Sequence, residues 1–110
     1  MIETEIKFSE VRDLLAQVEA DDSKVSFKRI IEAPAGGVSL LAFKAGQKLS
    51  EHLSPAELMV YVAEGAIRFT IFDTPHELRA GQFLLLGEGV PHSVEAQTDS
   101  KVMLIKIKAQ

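Results

Sequence analysis

The sequence predicts an all-β protein, built as a β-sandwich or a closed barrel, with one short helix near the amino terminus. Beyond residue 24 the apolar residues fall in short segments rich in β-branched, leucine and aromatic side chains. Clusters of turn residues separate these segments at intervals of about 8 to 12 residues. No helical pattern lies between them, whereas parallel βαβ units would need helical crossovers. A sandwich or a barrel is therefore expected.

The helix is predicted between Ser9 and Glu19, where apolar residues recur at helical spacing. Ser9 suits the N-cap position, because its side-chain oxygen can accept a hydrogen bond from a free backbone N–H of the first turn. The apolar stripe of this helix consists of Val11, Leu14, Leu15 and Val18. Such a stripe usually packs on the core of its own domain, so we expect it to cover part of the barrel.

Nine strands are predicted after this helix. In chain order they are KVSFKRIIE, VSLLAF, KLSEH, ELMVYVAE, AIRFTIF, HEL, QFLLL, HSVEA and KVMLIKIK. A chain of 110 residues is long enough for one domain and too short for two. We therefore expect a single domain over residues 1–110, with an amino-terminal arm and helix at 1–24 and a β-barrel at 25–110.

Several of the predicted strands are apolar on both faces. In ELMVYVAE, Met59 and Tyr61 are as apolar as Leu58 and Val60, with which they alternate. A strand of this kind has to be covered on both sides. One face can line the barrel, but one short helix cannot cover all of the outer surface. The sequence therefore predicts a homodimer.

Composition and charge argue against several classes of partner. The chain has 16 acidic and 12 basic residues, and the basic ones are scattered, which argues against nucleic acid. It has no cysteine, so disulfides and thiolate metal sites are excluded. The first residues lack a secretory pattern, and the longest apolar run, Leu58 to Ala63, is far shorter than the ~20 residues that span a bilayer. We expect a soluble, cytoplasmic protein without a membrane partner.

Two segments of the chain resemble the signature motifs of the cupin superfamily. The first extends from Gly46 through SEHLSPAELMVYVAEG, and the second is AGQFLLLGEGVPHSVEA. The matching residues are Gly46, His52 and Gly65 in the first motif and Gly81, Gly89 and His92 in the second. The resemblance covers positions 38 to 108 and is greatest to small single-domain conserved-barrel cupins. It implies a jelly-roll β-barrel, or double-stranded β-helix, whose inner face carries the site.

The chain also departs from these motifs, and the departures bear on metal binding. The differing positions are Ser54, Leu58, Gly87 and Ala96. Ser54 stands where the family places its second histidine, and Leu58 stands where it places the metal-binding glutamate. Of the four residues that the resemblance implies as metal ligands, only His52 and His92 remain.

A metal site would need further donors. Catalytic zinc usually has three protein ligands, and a common non-haem iron site uses two histidines and a carboxylate. Glu57 is one residue away from the inward-facing set, so strand alternation points it outward unless a bulge at Pro55 turns it in. If a metal is bound, the expected ligands are His52, His92 and, with such a bulge, Glu57. The ion would be a divalent transition metal such as Fe, Mn, Ni or Zn.

Three functions remain open for the two histidines, and no catalytic residue is assigned. The leading hypothesis is a barrel that binds a small molecule with a weak or lost metal site. Its pocket would be lined by His52, Ser54, Leu58, Val60 and His92, a mostly apolar set with a few polar groups. The first alternative is a metal-dependent oxygenase or isomerase. The second is a non-catalytic sensor or scaffold dimer with a packed barrel, in which hydrogen bonds satisfy both imidazoles.

Overall fold

A computed structural model describes residues 1–108, and in that part of the chain nine strands follow a single 3-10 turn. The strands are β1 (Ser26–Ala33), β2 (Gly36–Phe43), β3 (Lys48–His52), β4 (Glu57–Glu64), β5 (Ala66–Ile71), β6 (Thr74–Arg79), β7 (Phe83–Leu86), β8 (His92–Ala96) and β9 (Ser100–Ile107). All nine predicted strands are present, and their ends differ from the predicted ones by two residues at most. The all-β prediction is confirmed.

The strands form two antiparallel sheets that face each other. The five-stranded sheet has the order β1-β2-β9-β4-β7, and the four-stranded sheet has the order β3-β8-β5-β6. Neighbours in each sheet come from distant parts of the chain, as in the pairing of β2 with β9 and of β3 with β8. This arrangement is the jelly-roll barrel, and it confirms the predicted fold class.

The main hydrophobic core fills the space between the sheets. Phe43 and Phe69 are the largest of its fully buried side chains. Strand β4 shows how the sequence pattern builds this core, because its residues alternate between the two faces of the sheet. Leu58 and Val60 are buried on the inner face, whereas Met59 lies half-buried on the outer face.

The predicted amino-terminal α-helix is the part of the fold that requires correction. Between Ser9 and Glu19 the chain forms only a three-residue 3-10 turn, Leu15–Gln17, without a side-chain N-cap. The four apolar residues do not act as one stripe, because Val11 is fully exposed while Val18 packs on the outer face of β2. A helix this short depends on packing for its stability, so losing part of the stripe is enough to prevent it. No helix among residues 1–108 is long and apolar enough to cross a bilayer.

Candidate functional site

The barrel contains a cavity of about 250 Å³ that opens at one end between the two sheets. Its volume lies just below the usual range for small-molecule pockets, roughly 300–1,000 Å³, so it suits a compact ligand. Of its sixteen lining residues, twelve are apolar. The polar ones are His52, Ser54, His92 and Lys106. The five pocket residues expected from the sequence all lie in this lining: His52, Ser54, Leu58, Val60 and His92.

One loop forms an edge of the cavity, and a second loop lies against it. One connects β3 to β4 and contains Leu53, Ser54 and Pro55, all of which line the cavity. The other connects β7 to β8 and ends at His92. The N–H of Gly89 donates a hydrogen bond of 2.8 Å to the carbonyl of Ser54, which joins the two loops. The mouth is therefore held by backbone contacts between the segments that carry the cupin-like motifs.

A β-bulge in β3 directs His52 into the cavity. Leu49 pairs with Val94 and His52 pairs with His92, so β3 spans three residues where β8 spans two. The extra residue places Leu49 and His52 on the same face, although strict alternation would put them on opposite faces. Both side chains line the cavity. The sequence reasoning considered a bulge at Pro55 and did not predict this one.

The two histidines lie next to each other, and His92 is held between two rings. The ring centroids of His52 and His92 are 4.3 Å apart, with the planes tilted by 58°. On its other side His92 stacks on Phe69, at 5.3 Å and 10°. His92 is only 3% exposed, whereas His52 is exposed at the mouth. Packing on Phe69 therefore fixes the plane of the buried imidazole.

Hydrogen bonds to the backbone set the tautomer of both imidazoles. The Nδ1 of His52 lies 2.9 Å from the carbonyl oxygen of Ser50, and the Nδ1 of His92 lies 2.9 Å from that of Val90. A carbonyl oxygen can only accept, so each Nδ1 carries the hydrogen and donates it. In the neutral ring the lone pair is then on Nε2. Both histidines thus keep Nε2 for an interaction other than these backbone contacts.

Burial lowers the pKa of His92 below its ordinary value of about 6.5. The hydrogen bond to the Val90 carbonyl acts in the opposite direction, and the charge of a protonated His52 lowers this pKa further. The net effect favours neutral His92 at neutral pH. Its Nε2 is then a hydrogen-bond acceptor and a proton acceptor inside an apolar cavity.

The donors in the cavity do not fit the metal centre that the cupin motifs imply. Leu58 occupies the glutamate position and contributes only apolar surface to the lining. Glu57 is exposed and does not line the cavity, and its carboxylate accepts a hydrogen bond of 3.4 Å from the N–H of Glu88. No group of three histidine, cysteine, aspartate or glutamate side chains within residues 1–108 could hold a metal ion. Two Nε2 atoms fall short of the usual three protein ligands.

Lys106 is a site residue that the sequence reasoning missed. It follows Val102 and Leu104 on the inner face of β9, and all three line the cavity. The alternation in KVMLIKIK already places Lys106 on the face of these apolar residues, so strand periodicity was a usable signal. His76, by contrast, is exposed on β6 outside this lining, and its Nδ1 lies 3.3 Å from the carbonyl oxygen of Phe69.

Comparison with known proteins settles the family. The family model for the cupin domain matches residues 39–108, which is nearly two thirds of the chain. This chain is a cupin. The matched segment begins in β2 and includes both motif regions and every residue of the cavity lining.

Solved structures similar to this cupin have the same fold. An RmlC-like cupin from Desulfovibrio desulfuricans is 30% identical with a TM-score of 0.80, and the match covers 89% of this chain and 95% of that one. A conserved protein of unknown function from Streptococcus pyogenes, SPY1581, has a TM-score of 0.87 at 23% identity, covering 96% and 92% of the two chains. The cupin is also 35% identical over 74 residues to Protein SchB of Streptomyces halstedii. That match covers 66% of this chain, which spans about half of the curated relative's length (54%).

Proposed function

We propose that this cupin binds a compact, largely apolar small molecule in its barrel cavity, without a resident transition metal. The observation that carries the proposal is the combination of an apolar cavity with two imidazoles whose Nε2 atoms are left for a ligand. Ligand pockets usually combine apolar walls with a few convergent polar groups in this way. A packed scaffold barrel would have no such cavity.

The two imidazoles offer the ligand a hydrogen-bonding site with defined chemistry. Because each Nδ1 donates to a backbone carbonyl, each neutral Nε2 accepts from an O–H or N–H of the ligand. His92 is the better-positioned acceptor, since Phe69 and His52 hold its ring from both sides. The same nitrogen can take a proton from a bound molecule, so the site is also suited to proton transfer.

The cavity can be tested with probe molecules before the natural ligand is known. We would titrate the protein with phenol and benzamide, two compact aromatic compounds with hydrogen-bond donors, and record methyl spectra by NMR. The cavity methyl groups of Val60, Val102 and Leu104 should shift, whereas those of the outward-facing Ile105 should not. If neither probe shifts the cavity methyl groups at millimolar concentration, the proposal is wrong.

A matched pair of variants separates binding in the cavity from binding elsewhere. Ser54→Trp places a large ring at the mouth of the cavity and should weaken binding of both probes by about tenfold or more. Ser50→Trp introduces the same ring on the outer side of β3 and should leave the affinities unchanged. Equal effects of the two variants would show that the probes bind outside the cavity.

We also propose that a second copy of the chain covers the outer face of the five-stranded sheet. The amino-terminal segment covers only the β2 side of this face, where Val18 packs on Leu40 and Ala42. The remaining part, here called the outer patch, consists of Met59, Tyr61, Phe83, Leu85, Ile105 and Ile107. Leu85 is 72% exposed. An apolar patch is complementary to itself, so a two-fold dimer can bury it on both chains at once.

A further inference from the structure

We infer that the ligand of this cupin carries a carboxylate, which Lys106 binds at the cavity mouth while the apolar walls hold the rest of the molecule. This inference rests on the proposed function and names the chemical class of its ligand. Its starting observation is that Lys106 is the only lysine or arginine in the lining, among the residues that the structure describes. No aspartate or glutamate of residues 1–108 shares that lining.

The register of the sheet places the backbone of Lys106 beside the start of β4, and the Lys106 side chain lines the cavity. Lys106 pairs with Leu58 on β4, just after the β3–β4 loop that carries Ser54. On its other side Lys106 pairs with Gly37 on β2, and Gly37 pairs in turn with Glu32 on β1. Cross-strand partners share a face of the sheet, so Glu32 and Lys106 both lie on the inner face with one glycine between them.

Gly37 allows Glu32 to reach Lys106 across β2. A Cβ at position 37 would lie 2.9 Å from Oε1 of Glu32 and 2.7 Å from the carbonyl oxygen of Ile31. Without that atom, the carboxylate lies over the strand, and its Oε2 is 3.4 Å from Nζ of Lys106. The two side chains are 24% and 32% exposed, respectively. Glu32 therefore positions the ammonium group, whose geometry still leaves further N–H donors for a ligand.

The charges around this pair leave Lys106 attractive to an anion. The carboxylate of Glu32 contacts both Lys106 and Arg29, whose Nε lies 3.8 Å from Oε1 of Glu32. Arg29 also approaches Glu3 at 3.7 Å, so the group contains two cations and two carboxylates. Arg29 and Glu3 are more than half exposed, so water screens both contacts of Arg29, and the attraction for an anion depends on the free N–H donors of Lys106. A carboxylate at the mouth would face an ammonium group, the imidazole of His92, whose neutral form burial favours, and apolar walls. A cationic ligand would face repulsion there.

Two probes of nearly equal shape isolate the contribution of the charge. Benzoate and benzamide share the aromatic ring and differ in their charge, and methyl NMR titration reports whether each enters the cavity. In the wild-type protein benzoate should bind about tenfold more tightly than benzamide. This ratio is the lower end of the contribution expected of a charge-assisted hydrogen bond, because Lys106 remains partly exposed.

Variants of Lys106 test whether that residue causes the preference. Lys106→Met keeps an apolar stem of similar length and should reduce the affinity ratio to about one, whereas Lys106→Arg should keep most of it. Lys48→Met removes the same charge from the exposed end of β3, outside the cavity lining, and should leave the ratio unchanged. Thermal unfolding of each variant checks that it is folded. If Lys106→Met does not fold, the wild-type affinity ratio still tests whether the cavity prefers a carboxylate, and the ratio in Lys106→Arg still tests whether a different cation at position 106 supports that preference.

The outcomes distinguish this inference from the proposed function. If benzamide and benzoate shift the cavity methyl groups with equal affinity, the carboxylate inference is overturned and the cavity remains a neutral binding site. A benzoate preference that survives in Lys106→Met overturns the role of Lys106. If neither probe shifts the cavity methyl groups, the proposed function itself fails, and the inference fails with it.

Discussion

Replacing Gly65 with alanine is expected to destabilise the barrel more than the same replacement at Gly46, although both glycines have nearly the same positive φ. Gly65 has a φ of 85° and Gly46 a φ of 87°, and both belong to the first cupin-like motif. The difference lies in their surroundings. A Cβ at Gly46 would have no atom within 4 Å, whereas one at Gly65 would lie closer than 3.0 Å to the Asp99 carbonyl oxygen and to Ser100.

The magnitude follows from separating these two contributions. The left-handed conformation costs an L-residue about 1–2 kcal/mol, and this cost is common to both positions. At Gly65 the steric overlap adds about 1–3 kcal/mol, because the neighbouring groups cannot easily move. Ser100 is only 1% exposed, and its hydroxyl contacts the Ala66 N–H at 3.1 Å and the Thr98 carbonyl at 2.7 Å. We therefore expect losses of about 1–2 kcal/mol for Gly46→Ala and, as the sum of both contributions, about 2–5 kcal/mol for Gly65→Ala.

Equilibrium unfolding in urea measures both losses directly. The two variants and the wild-type protein should unfold with similar m-values, so that differences in midpoint report differences in the free energy of unfolding. Gly65→Ala should have the lower midpoint. Equal losses at the two positions would refute the reasoning, because they would show that backbone conformation alone determines the need for glycine in this motif.

Three further predictions concern the histidines and the outer patch. Since burial lowers the pKa of His92, the unfolded chain binds more protons than the folded one below about pH 6.5. The free energy of unfolding should therefore be full above that pH and fall as the pH drops through the folded pKa. His92→Gln should flatten this part of a pH-dependent urea series, and an unchanged profile would contradict the prediction. After dialysis against Zn(II), Fe(II), Mn(II) or Ni(II), elemental analysis should find no more metal in the wild-type protein than in the His52→Ala, His92→Ala variant. One metal ion per chain in the wild-type protein that is lost in the variant would show a hidden third donor. If the proposed dimer forms, light scattering should show that Leu85→Glu is a monomer, whereas Phe72→Glu, at an exposed position outside the patch, stays dimeric. A monomeric wild-type protein would refute the proposed dimer.

Much of the fold follows from the sequence because period-two alternation and turn residues are local signals. All nine strands were predicted, and the inward set of β4, including Leu58 and Val60, lies where alternation placed it. The prediction of an amino-terminal helix was wrong for a physical reason. Helical spacing shows that a segment could form an apolar helix face, but it does not show that the fold has a surface for that face. Val11 has no surface to pack against in the folded chain.

The candidate site was less accessible to sequence reasoning, because its geometry depends on contacts between distant strands. The bulge that turns His52 inward appears only in the register of β3 against β8. The ion pair of Lys106 with Glu32 joins residues 74 positions apart and depends on Gly37 between them. Composition and spacing within one strand contain no information about either feature. Strand periodicity alone would have been enough to place Lys106 on the inner face, although the sequence-based prediction of the site did not include it.

The departures from the cupin motifs are physically consistent with one another. Leu58 in place of a carboxylate removes a negative charge from the cavity, and Ser54 in place of histidine removes a metal donor. Lys106 adds a positive charge to the same lining, which opposes a divalent cation by simple Coulomb repulsion. Both replacements make a metal ion less favourable, and the lack of a carboxylate at Leu58 together with Lys106 favours an anionic group. This combination is the reason for proposing an anionic ligand group, and the benzoate and benzamide comparison tests it.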